Sequence, residues 1–173
     1  VINVGTSGAV RIVLEKFDAP PPRGLWRYRL DRRRSVVGGA VSNAGNLFAW
    51  AQKTLALPDD AEAQLAAMAP DAHGLTVLPF LAGERSPLWN ADARYVAAGA
   101  NLDTTPMELL SASLEGASLR FAVVADLLRE AITEAGMRAP GEIVAGYPAV
   151  PVRQWHRQSA ALAKLVARAH DKD

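Results

Sequence analysis

The feature that most constrains this chain is a long apolar stripe. Leu110, Leu114, Ala117, Phe121, Val124, Leu128 and Ala131 step by 4, 3, 4, 3, 4 and 3 residues, the spacing that keeps side chains on one face of an α-helix. Just ahead of it, Thr105-Pro106-Met107-Glu108 combines a capping box with proline at the first helical position. Gly136 is the natural stop. A stripe this long must be covered by a second layer, so the rest of the chain has to supply an apolar face. Its contribution to function is rigidity.

That face is expected upstream. Val1–Val4 and Ala9–Phe17 read as strands joined by the short loop Gly5-Thr6-Ser7-Gly8, and Pro20-Pro21-Pro22 breaks the chain before a strand at Leu25–Leu30. With Ser35–Val41 as a fourth strand, residues 1–41 suggest an antiparallel meander. From Asn43 the period changes: Leu47, Phe48, Trp50, Ala51 and Leu55 recur at helical spacing until Pro58. Asp59–Met68 is a short helix, and Leu75–Leu78 a short apolar strand running into Pro79-Phe80-Leu81. Beyond the long helix, a strand at Glu142–Ala145, a turn at Gly146-Tyr147-Pro148 and a helix over Val152–Ala169 close the pattern. The alternation predicts one α/β domain over residues 1–173, a mixed sheet flanked by helices. With 50% hydrophobic and 21% charged residues, a single folded core fits and a disordered chain does not.

Composition excludes several chemistries. There is no cysteine, so disulfides, thiolate catalysis and Cys-ligated zinc are ruled out. His73, His156 and His170 share no i,i+4 pairing, which leaves no expected metal site. A net charge of +1 gives no global field for nucleic acid or an anionic membrane, and the apolar runs are too short to span a bilayer. A cytoplasmic location fits these features. One local excess stands out: Arg23, Arg27, Arg29, Arg32, Arg33 and Arg34 against Asp31, read as a solvated hairpin edge, or else as a polyanion site, for which only Trp26 and Tyr28 would supply aromatic platforms. Val1 opens the chain inside a strand, which suggests a piece of a longer protein.

Three segments could carry chemistry. In Gly5-Thr6-Ser7-Gly8, glycines let backbone N–H groups turn toward one point and two hydroxyls add donors, a combination suited to phosphate oxygens or simply a tight turn. It is no Walker A loop, since no lysine follows and a strand comes next. Thr6-Ser7-Gly8-Ala9 fails as a nucleophile elbow because Ala9 stands at the second glycine position. The second segment, Gly38 to Asn46, leads small residues into a helix start whose free N–H groups favour anions or a flat ligand edge, or else serves close packing. In the third, Gly83-Glu84-Arg85-Ser86-Pro87, at least one of Glu84 and Arg85 is expected to be buried and paired, as a structural ion pair or as a ligand contact.

Taken together, VINVGTSGAVR (Val1–Arg11), GGAVSNAGNLFAW (Gly38–Trp50), LPFLAGERSPLW (Leu78–Trp89) and TTPMELLSASLEG (Thr104–Gly116) resemble the carboxy-terminal lobe of the FGGY family of carbohydrate kinases. The wording is most similar to the gluconate kinase branch, with xylulose kinase-like enzymes next. The resemblance implies an actin-like, ribonuclease H-like ATPase lobe, one of two that clasp ATP-Mg and a sugar or sugar acid. It implies Gly5, Thr6 and Ser7 at the nucleotide's terminal phosphates, Gly45 beside the nucleoside, and Gly146 as the first glycine of an adenosine-contact pair. It places the aspartate base and most sugar contacts outside these residues, so no catalytic residue is expected within them and the isolated chain is expected to be inactive. Tyr147 and Pro148 depart from the expected Gly-Gly pair, and Tyr95, Ala97 and Ala100 depart from the family's usual glycine, large aliphatic and leucine. The alternative expectation is a noncatalytic, kinase-derived interaction module, which would expose an apolar patch and tend to form a homodimer.

Overall fold

The computed structural model describes residues 1–138 and 145–146. In chain order its elements are β1 (Ile2–Val4), β2 (Gly8–Glu15), β3 (Trp26–Arg29), β4 (Arg34–Val41), α1 (Gly45–Thr54), α2 (Ala61–Ala67), β5 (Thr76–Leu78), β6 (Val96–Ala98), α3 (Pro106–Glu134) and β7 (Ala145–Gly146). The predicted helix over Val152–Ala169, the strand residues 142–144, and Tyr147 and Pro148 lie outside the described residues.

α3 forms as its sequence dictates. Thr105 Oγ accepts from the Glu108 N–H at 3.2 Å while Glu108 Oε2 accepts from the Thr105 N–H at 2.7 Å, closing the capping box. At the far end Gly136 takes a positive φ of 68°, its N–H bonds the Thr133 carbonyl, and Met137 N–H bonds the Ile132 carbonyl. This is a Schellman stop, which a left-handed glycine makes without steric cost. Between the caps the stripe is buried, with Leu110, Ala117, Phe121 and Val124 at 0% exposure.

The stripe lies on a five-stranded sheet of order β3-β4-β2-β1-β7. β1, β2, β4 and β3 pair antiparallel, while β7 runs parallel to β1. The sheet is therefore mixed, but its first part is no simple meander. The chain after β2 does not turn straight back: the proline triplet intervenes, and β3 then runs parallel to β2. β4, antiparallel to both, pairs with each and lies between them, which leaves β3 at the edge.

The core follows the strand alternation. Ile2, Val4, Val10, Leu14, Val37 and Val41 face α3 and pack with Phe121, Val124, Leu128 and Ile132. Gly8 is required by this packing: a Cβ there would sit 2.3 Å from the Phe121 ring and 2.8 Å from the Asn3 carbonyl oxygen. Each fully buried large side chain stabilises the fold by about 1.5–3 kcal/mol. A second cluster joins Phe48, Ala51, Ala61, Met107 and Leu110, with Leu114 bridging the two.

β5 departs from expectation. It stays outside the main sheet and pairs with β6, a strand that hydrophobic pattern does not announce because all three of its residues are exposed. The expected strand at Leu75–Leu78 thus forms, over Thr76–Leu78, but with Leu78 48% exposed.

Candidate functional site

The strand directions bring three separate sequence segments to one end of the sheet. β1, β4 and β7 point the same way, and their carboxyl ends carry the Gly5-Thr6-Ser7 turn, the entry to α1, and Gly146. In α/β sheets this is the edge where ligands bind.

The turn is tight. Gly5 N–H bonds the Ser7 carbonyl at 2.8 Å, and Val4 pairs with Gly8. It is also docked onto α1: Gly45 N–H bonds the Gly5 carbonyl at 2.9 Å, and Asn46 N–H bonds the Thr6 carbonyl at 3.2 Å. This corrects the expectation of free donors at the α1 start. The first N–H groups of a helix lack intrahelical acceptors; here two of them are satisfied by loop carbonyls, and no side chain caps the helix. Donors remain on the turn instead. Thr6 and Ser7 are exposed, and neither their N–H nor their hydroxyl groups bond a partner among the described residues.

Gly146 is also placed differently from the expected turn. It belongs to β7 and pairs with Asn3, one residue short of the end of β1. Main-chain pairing thus sets it beside the strand that delivers the Gly5 turn.

Asn43 joins the third segment to the same end. Buried to 2% exposure, it donates to the Gly83 carbonyl at 2.8 Å and accepts from the Ala82 N–H at 2.9 Å and the Asn46 amide at 3.3 Å. Ser86 bonds Ala40 twice, N–H to carbonyl at 2.8 Å and hydroxyl from N–H at 3.0 Å. It occupies the edge of β4 where β3 has ended.

Of the charged pair in this loop, Glu84 is buried and Arg85 exposed. The partner of Glu84 is Arg120 on α3, not its neighbour. Arg120 also lies 5.6 Å over the Phe80 ring, and burial pushes its guanidinium pKa down without discharging it. Its Nε is buried with no hydrogen-bond partner among the described residues. A cavity of water-molecule size lies between Ser42, Asn43, Phe80, Glu84 and Arg120. Sequence reasoning missed Arg120 because it falls off the apolar stripe. The available signal was an arginine between Leu119 and the buried Phe121, on a helix facing a buried glutamate.

His73 is the one histidine among the described residues, and it is away from this end. Its Nδ1 accepts from the Leu75 N–H at 3.0 Å, so Nε2 donates to Glu115 at 3.2 Å. Glu115 also accepts from the Ser111 hydroxyl and the Asp71 N–H, a structural tie between the loop and α3. Among the described residues no three His, Asp or Glu side chains converge to hold a metal ion. Nor is any described helix long and apolar enough to cross a membrane.

Antiparallel strands followed by helices and a last strand parallel to the first define an actin-like, ribonuclease H-like α/β lobe. The fold is shared with solved sugar kinases. It superposes on ligand-bound xylulose kinase from Lactobacillus acidophilus with a TM-score of 0.72 at 25% identity, covering 99% of this chain and 38% of that one. Gluconate kinase from Lactobacillus acidophilus gives 0.68 at 25% identity, with the same coverage. In sequence, gluconokinase of Bacillus subtilis is 31% identical over 128 residues, 66% of this chain and 25% of that protein. Residues 1–146 match the C-terminal domain of the FGGY family of carbohydrate kinases, and the chain belongs to that family. It spans about a quarter of the length of the gluconokinases it matches.

Proposed function

We propose that this chain is the nucleotide-holding, carboxy-terminal lobe of an ATP-dependent kinase that phosphorylates a sugar or sugar-acid hydroxyl, of gluconate- or xylulose-kinase type. The observation that carries this reading is the convergence of the Gly5-Thr6-Ser7 turn, the Gly45 helix start and Gly146 at the carboxyl end of β1, β4 and β7. Free N–H and hydroxyl donors on Thr6 and Ser7 suit the terminal phosphates of ATP. Gly45, with no side chain at the helix start, lets a flat nucleoside approach the backbone, and Gly146 does the same at the end of β7. The magnesium that the family resemblance implies would be bound chiefly through the phosphates of the nucleotide and water.

In this reading the 173 residues form one domain, and the base carboxylate and sugar contacts come from the remainder of a longer protein. By itself the lobe binds nucleotide without turnover. Its part in the reaction is positioning: the turn is braced on α1, so its donors meet the γ-phosphate without rearranging.

Calorimetric titration with ATP-Mg tests the assignment. Saturable binding is expected, weakened about tenfold or more by Ser7→Tyr, which fills the cradle, and less by Ser7→Ala, which removes one hydrogen bond to a charged oxygen. No heat up to millimolar nucleotide, or binding indifferent to Ser7→Tyr, overturns it. The noncatalytic interaction module would then be the better description.

A further inference from the structure

The sheet has a second face, and its edge strand is open. Cross-strand rows on the side away from α3 are Arg11–Gly38–Trp26 and Val13–Val36–Tyr28. Trp26 lies on Gly38, where a Cβ would come within 2.9 Å of the indole, and it meets the Tyr28 ring at 4.8 Å between centroids. Tyr28 is 61% and Val13 53% exposed.

The hydrogen-bond phase shows which main-chain groups point outward. Lys16 N–H bonds the Arg33 carbonyl and Leu30 N–H bonds the Arg34 carbonyl. Odd-numbered β4 residues therefore serve β2 and even-numbered ones serve β3, so Tyr28 pairs inward with Val36. Arg27 and Arg29 turn their N–H and C=O groups away from the sheet, and these groups find no partner among the described residues.

Charge selects what can pair there. Residues 11–34 hold eight Lys and Arg against three Asp and Glu, a net +5, which leaves −4 for the rest of a chain of net +1. Arg27 is occupied by the carbonyls of Phe17 and Ala19, and Arg34 by Asp31. The side chains of Arg29, Arg32 and Arg33 are exposed and meet no acidic partner among the described residues. A second copy docked edge to edge would set one cationic edge against another, which such edges resist. The same charge admits an acidic strand.

We propose that β3 is a docking strand for an acidic, extended segment of a partner protein. That segment adds to the sheet through the main-chain groups of Arg27 and Arg29. Its side chains alternate, carboxylates toward Arg29 on one face and apolar groups toward Trp26 and Tyr28 on the other, with Arg32 and Arg33 at the hairpin end. A free strand edge favours a peptide over nucleic acid, which pairs with phosphate-spaced cations rather than with an amide ladder.

Fluorescence anisotropy of the whole chain with a labelled octapeptide alternating glutamate and valine tests this. Saturable binding is expected, about tenfold weaker for a lysine–valine peptide, for the same acidic peptide N-methylated along one edge, and for Arg29→Pro, which removes one outward donor without touching the β4 ladder. N-methylation leaves the protein unchanged, so it decides the matter even where Arg29→Pro unfolds. No binding, equal binding of the N-methylated or lysine peptide, or tighter binding of an oligo-dT strand overturns the proposal.

Discussion

The β1–β2 and β3–β4 hairpins belong to one sheet yet are held in opposite ways. In the first, the carbonyls of Gly5 and Thr6 bond α1 and Gly8 lies against Phe121 of α3. The second is held mostly within itself: Asp31 accepts from the N–H groups of Arg33 and Arg34, both at 2.8 Å, and from the Arg34 side chain at 2.7 Å, with one main-chain bond from outside, Lys16 N–H to the Arg33 carbonyl. A turn whose main chain is fastened to two other elements presents its remaining donors at fixed positions. A turn fastened mostly by its own aspartate, and to one neighbouring strand, presents long charged side chains that still carry their rotamer entropy. The first construction suits a small ligand that must be placed to a fraction of an ångström, the second an extended partner that supplies its own order.

The largest expected effect lies in the loop that Asn43 ties to the entry of α1. Glu84→Leu strands the part-buried Arg120 charge, whose Nε already has no partner among the described residues. A loss of about 3 kcal/mol is expected, or a melting temperature lower by roughly 6–12 °C. The double variant Glu84→Leu/Arg120→Met recovers most of it, because no uncompensated charge then remains. A double variant no more stable than the single one would show that the loop, and not the charge, was lost. Next in size is Gly8→Ala, where overpacking against Phe121 costs about 1–3 kcal/mol. Phe121→Leu in the same chain restores only part, since the Asn3 carbonyl still opposes the new methyl. Thermal unfolding followed by circular dichroism measures both.

How much of this was legible in the sequence depends on whether an element's reason is local. The α3 caps and stripe are local, so Thr105, Glu108 and Gly136 could be read directly. The Gly5-Thr6-Ser7 turn was equally visible as a turn. Its carbonyls capping α1 were not, because a helix start satisfied by a distant loop leaves no serine or aspartate at the N-cap to betray it. Ala44 stands there instead. The position of β3 at the edge follows from β4 pairing with both β2 and β3, a long-range choice that composition does not encode. β6 was invisible because no face of it is buried. The Glu84 partner was missed for the same reason as the α1 cap: Arg120 is thirty-six residues away, and only the packing of α3 brings it near.

The smallest expected effect separates the two hairpins by pH. The Asp31 carboxyl is held below its ordinary value of 3.8, first by the Arg33 N–H, then by the Arg34 side chain and N–H. A carboxylate with a lowered folded-state pKa stabilises the fold above its unfolded pKa, and that contribution disappears as pH falls through the folded value. Asp31→Asn keeps an oxygen acceptor for the turn but loses the charge facing Arg34. The wild-type chain should therefore melt slightly above the variant at pH 5–7, and the gap should close as pH is lowered through and below 3.8. Ser7→Ala sits in a turn with no ionisable side chain, so its small effect should stay constant over the same range. A gap for Asp31→Asn that persists unchanged to pH 2 would mean the carboxylate's charge does not hold the β3–β4 turn. Its hydrogen-bonded shape alone would then be enough to hold the turn, with no help from the charge.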